Sequence, residues 1–111
     1  MSTQGFTQKT IDVGDRKFFI YLLSFDNGKF VSVSEGTQKI GSMIVSIGTG
    51  PSATSAIVIP AKTDSLFLKL TAEKISTSIK GIGIVSLYAT RELGNETAKI
   101  LMGEIMGMIQ N

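Results

Sequence analysis

The sequence predicts an α+β domain, an antiparallel sheet of five or six strands with two helices on one face. Three observations point there. The first half is built of short apolar runs broken by turn signals, the clearest being Asp26-Asn27-Gly28, whose Asn-Gly pair accepts the positive φ angles of a tight hairpin. Two stretches of the second half, Thr63–Ile79 and the segment from Asn95 to Ile109, carry apolar residues at helical spacing. Between them, Ile82–Thr90 is rich in β-branched residues and reads as a strand.

Taken in order, Met1–Gln8 is polar and expected to fray at its start, and Lys9–Val13 is a short strand. Gly14-Asp15 turns the chain into Arg16–Phe25, RKFFIYLLSF, apolar at nearly every position and therefore expected to be buried on both faces. Lys29–Ser34 alternates with period two, Glu35–Lys39 is polar and turn-like, and Ile40–Ile47 is the next strand, so that the first half predicts a meander of about four antiparallel strands. Gly48–Thr54 is a loop by composition, and Ser55–Ile59 is a strand ended by Pro60. Thr63 or Asp64 is expected to cap the first helix, with Leu68, Ala72, Ile75 and Ile79 on its buried stripe. Leu66, Leu68 and Leu70 also alternate as in a strand, and a helix puts Leu66 and Leu70 opposite the stripe. Lys80-Gly81 closes the helix with Gly as its cap. Leu93-Gly94-Asn95 turns into the last helix, with Asn95 as N-cap, Glu96 in the first turn, and Ala98, Leu101, Met102, Ile105 and Ile109 inward.

Composition narrows function mostly by exclusion. At 111 residues the chain is read as one domain, 1–111, with 42% hydrophobic and 18% charged residues, which favours a folded core over disorder. The net charge of +2 comes without a dense basic run, so no nucleic acid is expected. No Cys is present, which removes disulfides and thiolate chemistry, and no His, the commonest general base at neutral pH. No apolar run approaches the ~18–20 residues that span a bilayer, and the N-terminus lacks a signal-peptide pattern, so a cytoplasmic protein with no membrane contact is expected. The acids Asp12, Asp15, Asp26, Glu35, Glu73, Glu96 and Glu104 are scattered over turns, a loop and helices, and no Gly-x-Ser-x-Gly elbow is present. Gly48–Thr54 lacks the helix and Lys-Ser/Thr pair of a phosphate loop, and Gly81-Ile82-Gly83 enters a strand where a dinucleotide fingerprint leaves one. No enzyme, cofactor or metal site is predicted.

Strand alternation sorts the sheet into two sets. Val31, Val33, Met43, Val45, Ile47, Val85 and Leu87 are almost wholly apolar and are expected under the helices. Phe30, Ser32, Ser34, Ile44, Ser46, Ile82, Ile84, Ser86 and Tyr88 mix Ser with large apolar groups. With no third helix to cover it, this second face is predicted to meet a second copy of the protein, sheet on sheet. On the last helix, Gly103 and Gly107 sit four apart beside Ile100, away from the buried stripe; close approach of another backbone makes this outer face a candidate partner-binding surface.

The chain resembles the proteasome assembly chaperones of the third and fourth paralogue type, particularly short archaeal-like members. The resemblance runs from about Lys9 to Ile109 and is carried by FVSVSEGTQKIGSMIVSI (Phe30–Ile47), the passage from SAIVIP to STSIK, and GIGIVSLYATREL with its closing helix. It implies a small non-catalytic protein that pairs through its sheet with itself or a paralogous chaperone. It also implies binding to proteasome α subunits and help in assembling the α ring. Lys62, Lys69, Lys74 and Lys80 along the first helix are candidates for steering toward an acidic partner. The alternatives are a small dimeric scaffold of roadblock-like type without a proteasome link, against which the missing opening helix counts, and a small-ligand sensor using the Gly48–Thr54 loop.

Overall fold

The structure, a computed structural model, describes residues 5–110, so part of the segment expected to fray lies outside the described residues. Its elements are β1 (Phe6–Val13), β2 (Arg16–Phe25), β3 (Gly28–Glu35), β4 (Ser42–Ile47), β5 (Thr54–Ile59), α1 (Ser65–Ile79), β6 (Ile82–Tyr88) and α2 (Gly94–Gln110). The α+β class, six strands and two helices agree with the sequence.

The strand order, β1-β2-β3-β6-β4-β5, corrects the expected four-strand meander. Of the four expected strands, only β1, β2 and β3 are consecutive neighbours; β4 instead pairs with β5 and β6. The last strand inserts between β3 and β4 and runs parallel to β3, from Gly28 opposite Ile82 to Ser34 opposite Tyr88, so the sheet is mostly and not wholly antiparallel. Two glycines permit the insertion. A Cβ on Gly81 would lie 2.5 Å from the Asn27 carbonyl oxygen, and one on Gly28 would lie 2.7 Å from that of Ile82. Here the Ile82 N–H donates to the Asn27 carbonyl at 2.9 Å. Period-two patterning identifies strands but does not carry their order, which is why the crossover was not readable from the sequence.

Both helices lie on one face of the sheet. Across β6 and β4 runs α1, while α2 lies toward β2. Between sheet and helices the core contains Phe18, Ile20, Val31, Val33, Val85, Ile75 and Leu101, all fully buried. The β2 strand is buried on one face only, because Leu23 and Phe25 are exposed and Phe19 and Tyr21 half-buried. Its near-continuous apolar run reflects an open face that is itself apolar.

Leu66 and Leu70 point outward on α1, as a helix requires, while Phe67, Leu68, Thr71, Ala72, Ile75 and Ser76 point in. The caps differ from expectation. Asp64 precedes the helix in the left-handed region, at φ 64°, and makes no side-chain bond to its own helix. Its carboxylate instead accepts the Leu93 N–H at 3.2 Å, tying the start of α1 to the turn before α2. At the other end Lys80, not Gly81, takes the left-handed conformation, and the Gly81 N–H closes the turn on the Ser76 carbonyl.

Gly48 is the tight point between helix and sheet. Its N–H donates to the Gly81 carbonyl at 2.8 Å, and a Cβ there would stand 2.4 Å from the Ser76 carbonyl oxygen. Gly48→Ala should therefore push α1 off β4 and cost roughly 1–3 kcal/mol, read as a lowered urea midpoint. The loop that Gly48 opens leads into β5 and not into a helix, so it lacks the helix N-terminus of a phosphate cradle.

Candidate interaction surface

Residues opposite one another on neighbouring strands share a face, so the pairing register defines the uncovered side of the sheet. One row crosses it as Phe6, Leu23, Phe30, Ile84, Val45 and Ala56. The next runs Gln8, Tyr21, Ser32, Ser86 and Met43, and Ile82 lies beside Ile47 in the row on the other side. Phe6 stacks on Tyr21 with ring centroids 5.9 Å apart. No helix covers these rows, and Phe6, Leu23 and Ile47 are among the exposed large apolar side chains.

The predicted face residues divide into three groups. Phe30, Ser32, Ile84 and Tyr88 lie on the uncovered side and are half-buried. Ser34 and Ser86 lie on the same side but are almost inaccessible, because the segment Gly36–Gly41 folds over that end of the sheet. Ser34 Oγ donates to the Lys39 carbonyl at 3.0 Å, the Gly41 N–H donates to Ser86 Oγ at 3.2 Å, and the Lys39 ammonium sits 4.9 Å from the Tyr88 ring centre. The two serines thus anchor the chain's own loop. Between that loop and Phe6, Tyr21, Leu23 and Phe30 lies a shallow depression of about 400 Å³.

Ile44 and Ser46 are corrections. Ile44 pairs with Val85 and Ser46 with Gly83, which puts both under α1, while Met43, Val45 and Ile47 take the uncovered side. Met43, Val45 and Ile47 form the more apolar of the two alternating sets of β4, so apolar content alone points to the wrong phase. Placing a serine inside is tolerable because its hydroxyl is paired. Ser46 Oγ lies 3.0 Å from Ser76 Oγ and 3.2 Å from Ser55 Oγ, and Ser55 donates to Glu73 Oε2.

A second polar feature escaped the sequence reading. Glu35, expected in a loop, is the last residue of β3 and is buried against Arg16. Arg16 donates through Nε and Nη2 to the two carboxylate oxygens at 2.9 and 2.7 Å, and through Nη1 and Nη2 to the carbonyls of Glu92 and Arg91. The Thr90 N–H and hydroxyl both donate to Glu35 Oε1 at 2.9 Å. Arg16's hydrogen bonds, helped by those from Thr90 and opposed by burial, lower the Glu35 carboxyl to about 2 from its ordinary 4.5. The pair clamps the turn that aims α2. Nothing in the spacing of Arg16 and Glu35 signals it, because the partners meet only across the sheet.

On α2, Ile100, Gly103 and Gly107 fall on the outer side, and a Cβ on either glycine would meet nothing within 4 Å. Each glycine costs a helix interior about 1 kcal/mol relative to alanine. Gly103→Ala and Gly107→Ala should each raise the melting temperature of the isolated protein, measured by circular dichroism.

No protein-family model matches the chain, and no curated protein does. Among solved structures, a chain of the crystal structure of a novel chaperone complex for yeast 20S proteasome assembly matches it with a TM-score of 0.67. The match covers 95% of this chain and 97% of that one at 9% identity. The two chains share a fold. The shared fold runs nearly the length of both chains. At that identity it transfers a backbone path and no side-chain roles. Among the described residues, no helix is long and apolar enough to cross a membrane.

Proposed function

We propose that this protein is a non-catalytic proteasome assembly chaperone of the third or fourth paralogue type. In this reading it dimerises through the uncovered sheet face, with itself or a paralogous chain, binds proteasome α subunits and promotes formation of the α ring. The observation that carries the reading is the full-length likeness to a chain of a proteasome assembly chaperone complex. The uncovered row of Phe6, Leu23, Phe30, Ile84 and Val45 supports the pairing, because a contiguous apolar face of this kind marks an interaction surface. A partner chain presenting the same row would supply that cover. Dimer contacts would then come from Phe30, Ser32, Ile84 and Tyr88, with Ser34 and Ser86 holding the flanking loop in shape. The outer face of α2 around Ile100, Gly103 and Gly107 remains free in such a dimer to meet an α subunit.

Co-purification from host lysate, followed by mass spectrometry, tests the partner. Proteasome α subunits should be retained on the tagged protein, and the tagged protein should be absent from mature particles. A clean dimer that retains no α subunit, even when α subunits are added back, would favour the dimeric scaffold instead.

A further inference from the structure

The sheet has two free edges, and they are built differently. The β1 edge carries Lys9 and Asp12, the former paired with Glu104 of α2. Charges of this kind discourage another strand from adding on. The β5 edge, Thr-Ser-Ala-Ile-Val-Ile, has no charge. Thr54–Ile57 face Ile44–Ile47 in regular register, and the bulge near Met43 disturbs only the last residues, so every second residue of this stretch turns its main-chain N–H and C=O away from β4. Ile57 and Val58 are more than half exposed.

Beside this edge runs a groove of about 430 Å³ between β5 and α1, walled by Met43, Ile57, Ile59, Leu66 and Lys69. Lys69 is the one charged residue on its wall, and it takes part in none of the ion pairs of the described residues.

We infer that the β5 edge and this groove form a strand-docking site for an extended segment of a partner protein that alternates apolar residues and carries an acidic one. Main-chain bonds to β5 supply the affinity of such a mode, and the alternate side chains entering the groove supply the selectivity. The acidic residue meets Lys69. A second copy of this chain fits less well, because β5 itself contains no acid and pairing two such edges leaves both Lys69 ammonium groups without a partner. The site does not depend on the open-face dimer.

The test is selection of a displayed random decapeptide library on the full chain, followed by titration of one enriched peptide into isotope-labelled protein by NMR. Enriched peptides should alternate β-branched residues and contain Asp or Glu, with shifts confined to Thr54–Ile59 and Leu66–Lys69. Lys69→Glu should weaken binding at least about fivefold, and a peptide with its acid changed to Lys should regain affinity for that variant. Val58→Lys, which charges the edge without touching the groove's floor, should abolish binding with the rest of the spectrum unchanged. The Ile84→Asp protein should bind the peptide as the parent does, which separates this site from the sheet-face dimer. The inference is overturned if nothing is enriched over the Val58→Lys protein, if enriched peptides show helical spacing, or if the shifts map elsewhere. Concentration-dependent shifts at β5 without peptide would overturn it in favour of a second copy.

Discussion

Replacing Glu35 with alanine is expected to destabilise the fold by roughly 3–5 kcal/mol, the range for removing one partner of a buried ion pair. Four groups lose their acceptor at once: Arg16 Nε and Nη2, and the N–H and hydroxyl of Thr90. Arg16 stays buried with its charge and keeps only the carbonyls of Arg91 and Glu92. A double variant, Arg16→Met with Glu35→Leu, should recover much of the loss, because it removes the uncompensated charge along with the carboxylate. Urea denaturation of the parent, the single variant and the double variant reads this directly; equal destabilisation in the single and double variants would mean that the charge is not what matters. The same pair sets an acid limit. The folded carboxyl titrates near 2 and the ordinary value is 4.5, so its stabilisation is complete above about pH 4.5 and is lost as the pH falls toward 2. In Glu35→Gln the part of the acid-induced loss of stability that falls in that window should be smaller than in the parent.

The second large effect is on assembly. Ile84 stands near the middle of the uncovered face, between Phe30 on β3 and Val45 on β4. In a dimer paired through this face, Ile84→Asp forces a carboxylate into an apolar contact with no cation on the neighbouring strands' rows to meet it. Its dissociation constant should rise about 100-fold or more, the equivalent of roughly 3 kcal/mol. The folded monomer should persist, since the side chain points away from the core formed by Val85 and Leu87. Light scattering gives the mass and circular dichroism the fold. A parent protein that is monomeric at tens of micromolar would remove the sheet-face dimer from the account.

Local chemistry made most elements legible. The Asn-Gly turn, the helical stripes of α1 and α2, and the bounds of β2 follow from residues a few positions apart. Long-range pairing did not. The insertion of β6 beside β3 depends on glycines at 28 and 81 meeting across more than fifty residues of intervening chain, and no period in the sequence records that. The phase of β4 reads the wrong way round because Met43, Val45 and Ile47 are the more apolar set, and only the serine cluster with Ser55 and Ser76 makes the less apolar set suitable for burial. Alternation alone puts Phe30, Ser32, Ile84 and Tyr88 on the face that the helices leave uncovered, where the structure has them. The burial of Ser34 and Ser86 required the loop that folds back over them, and the ion pair of Arg16 with Glu35 required the register of β2 against β3.

The most direct measurement is native mass spectrometry of the protein mixed with unassembled proteasome α subunits during ring formation. An early species containing two copies of this chain bound to α subunits is expected, with a faster rise of closed α rings than in its absence and no copy of this chain in the finished particle. A protein that stays entirely at its own free mass while rings form at an unchanged rate would contradict the proposed chaperone role.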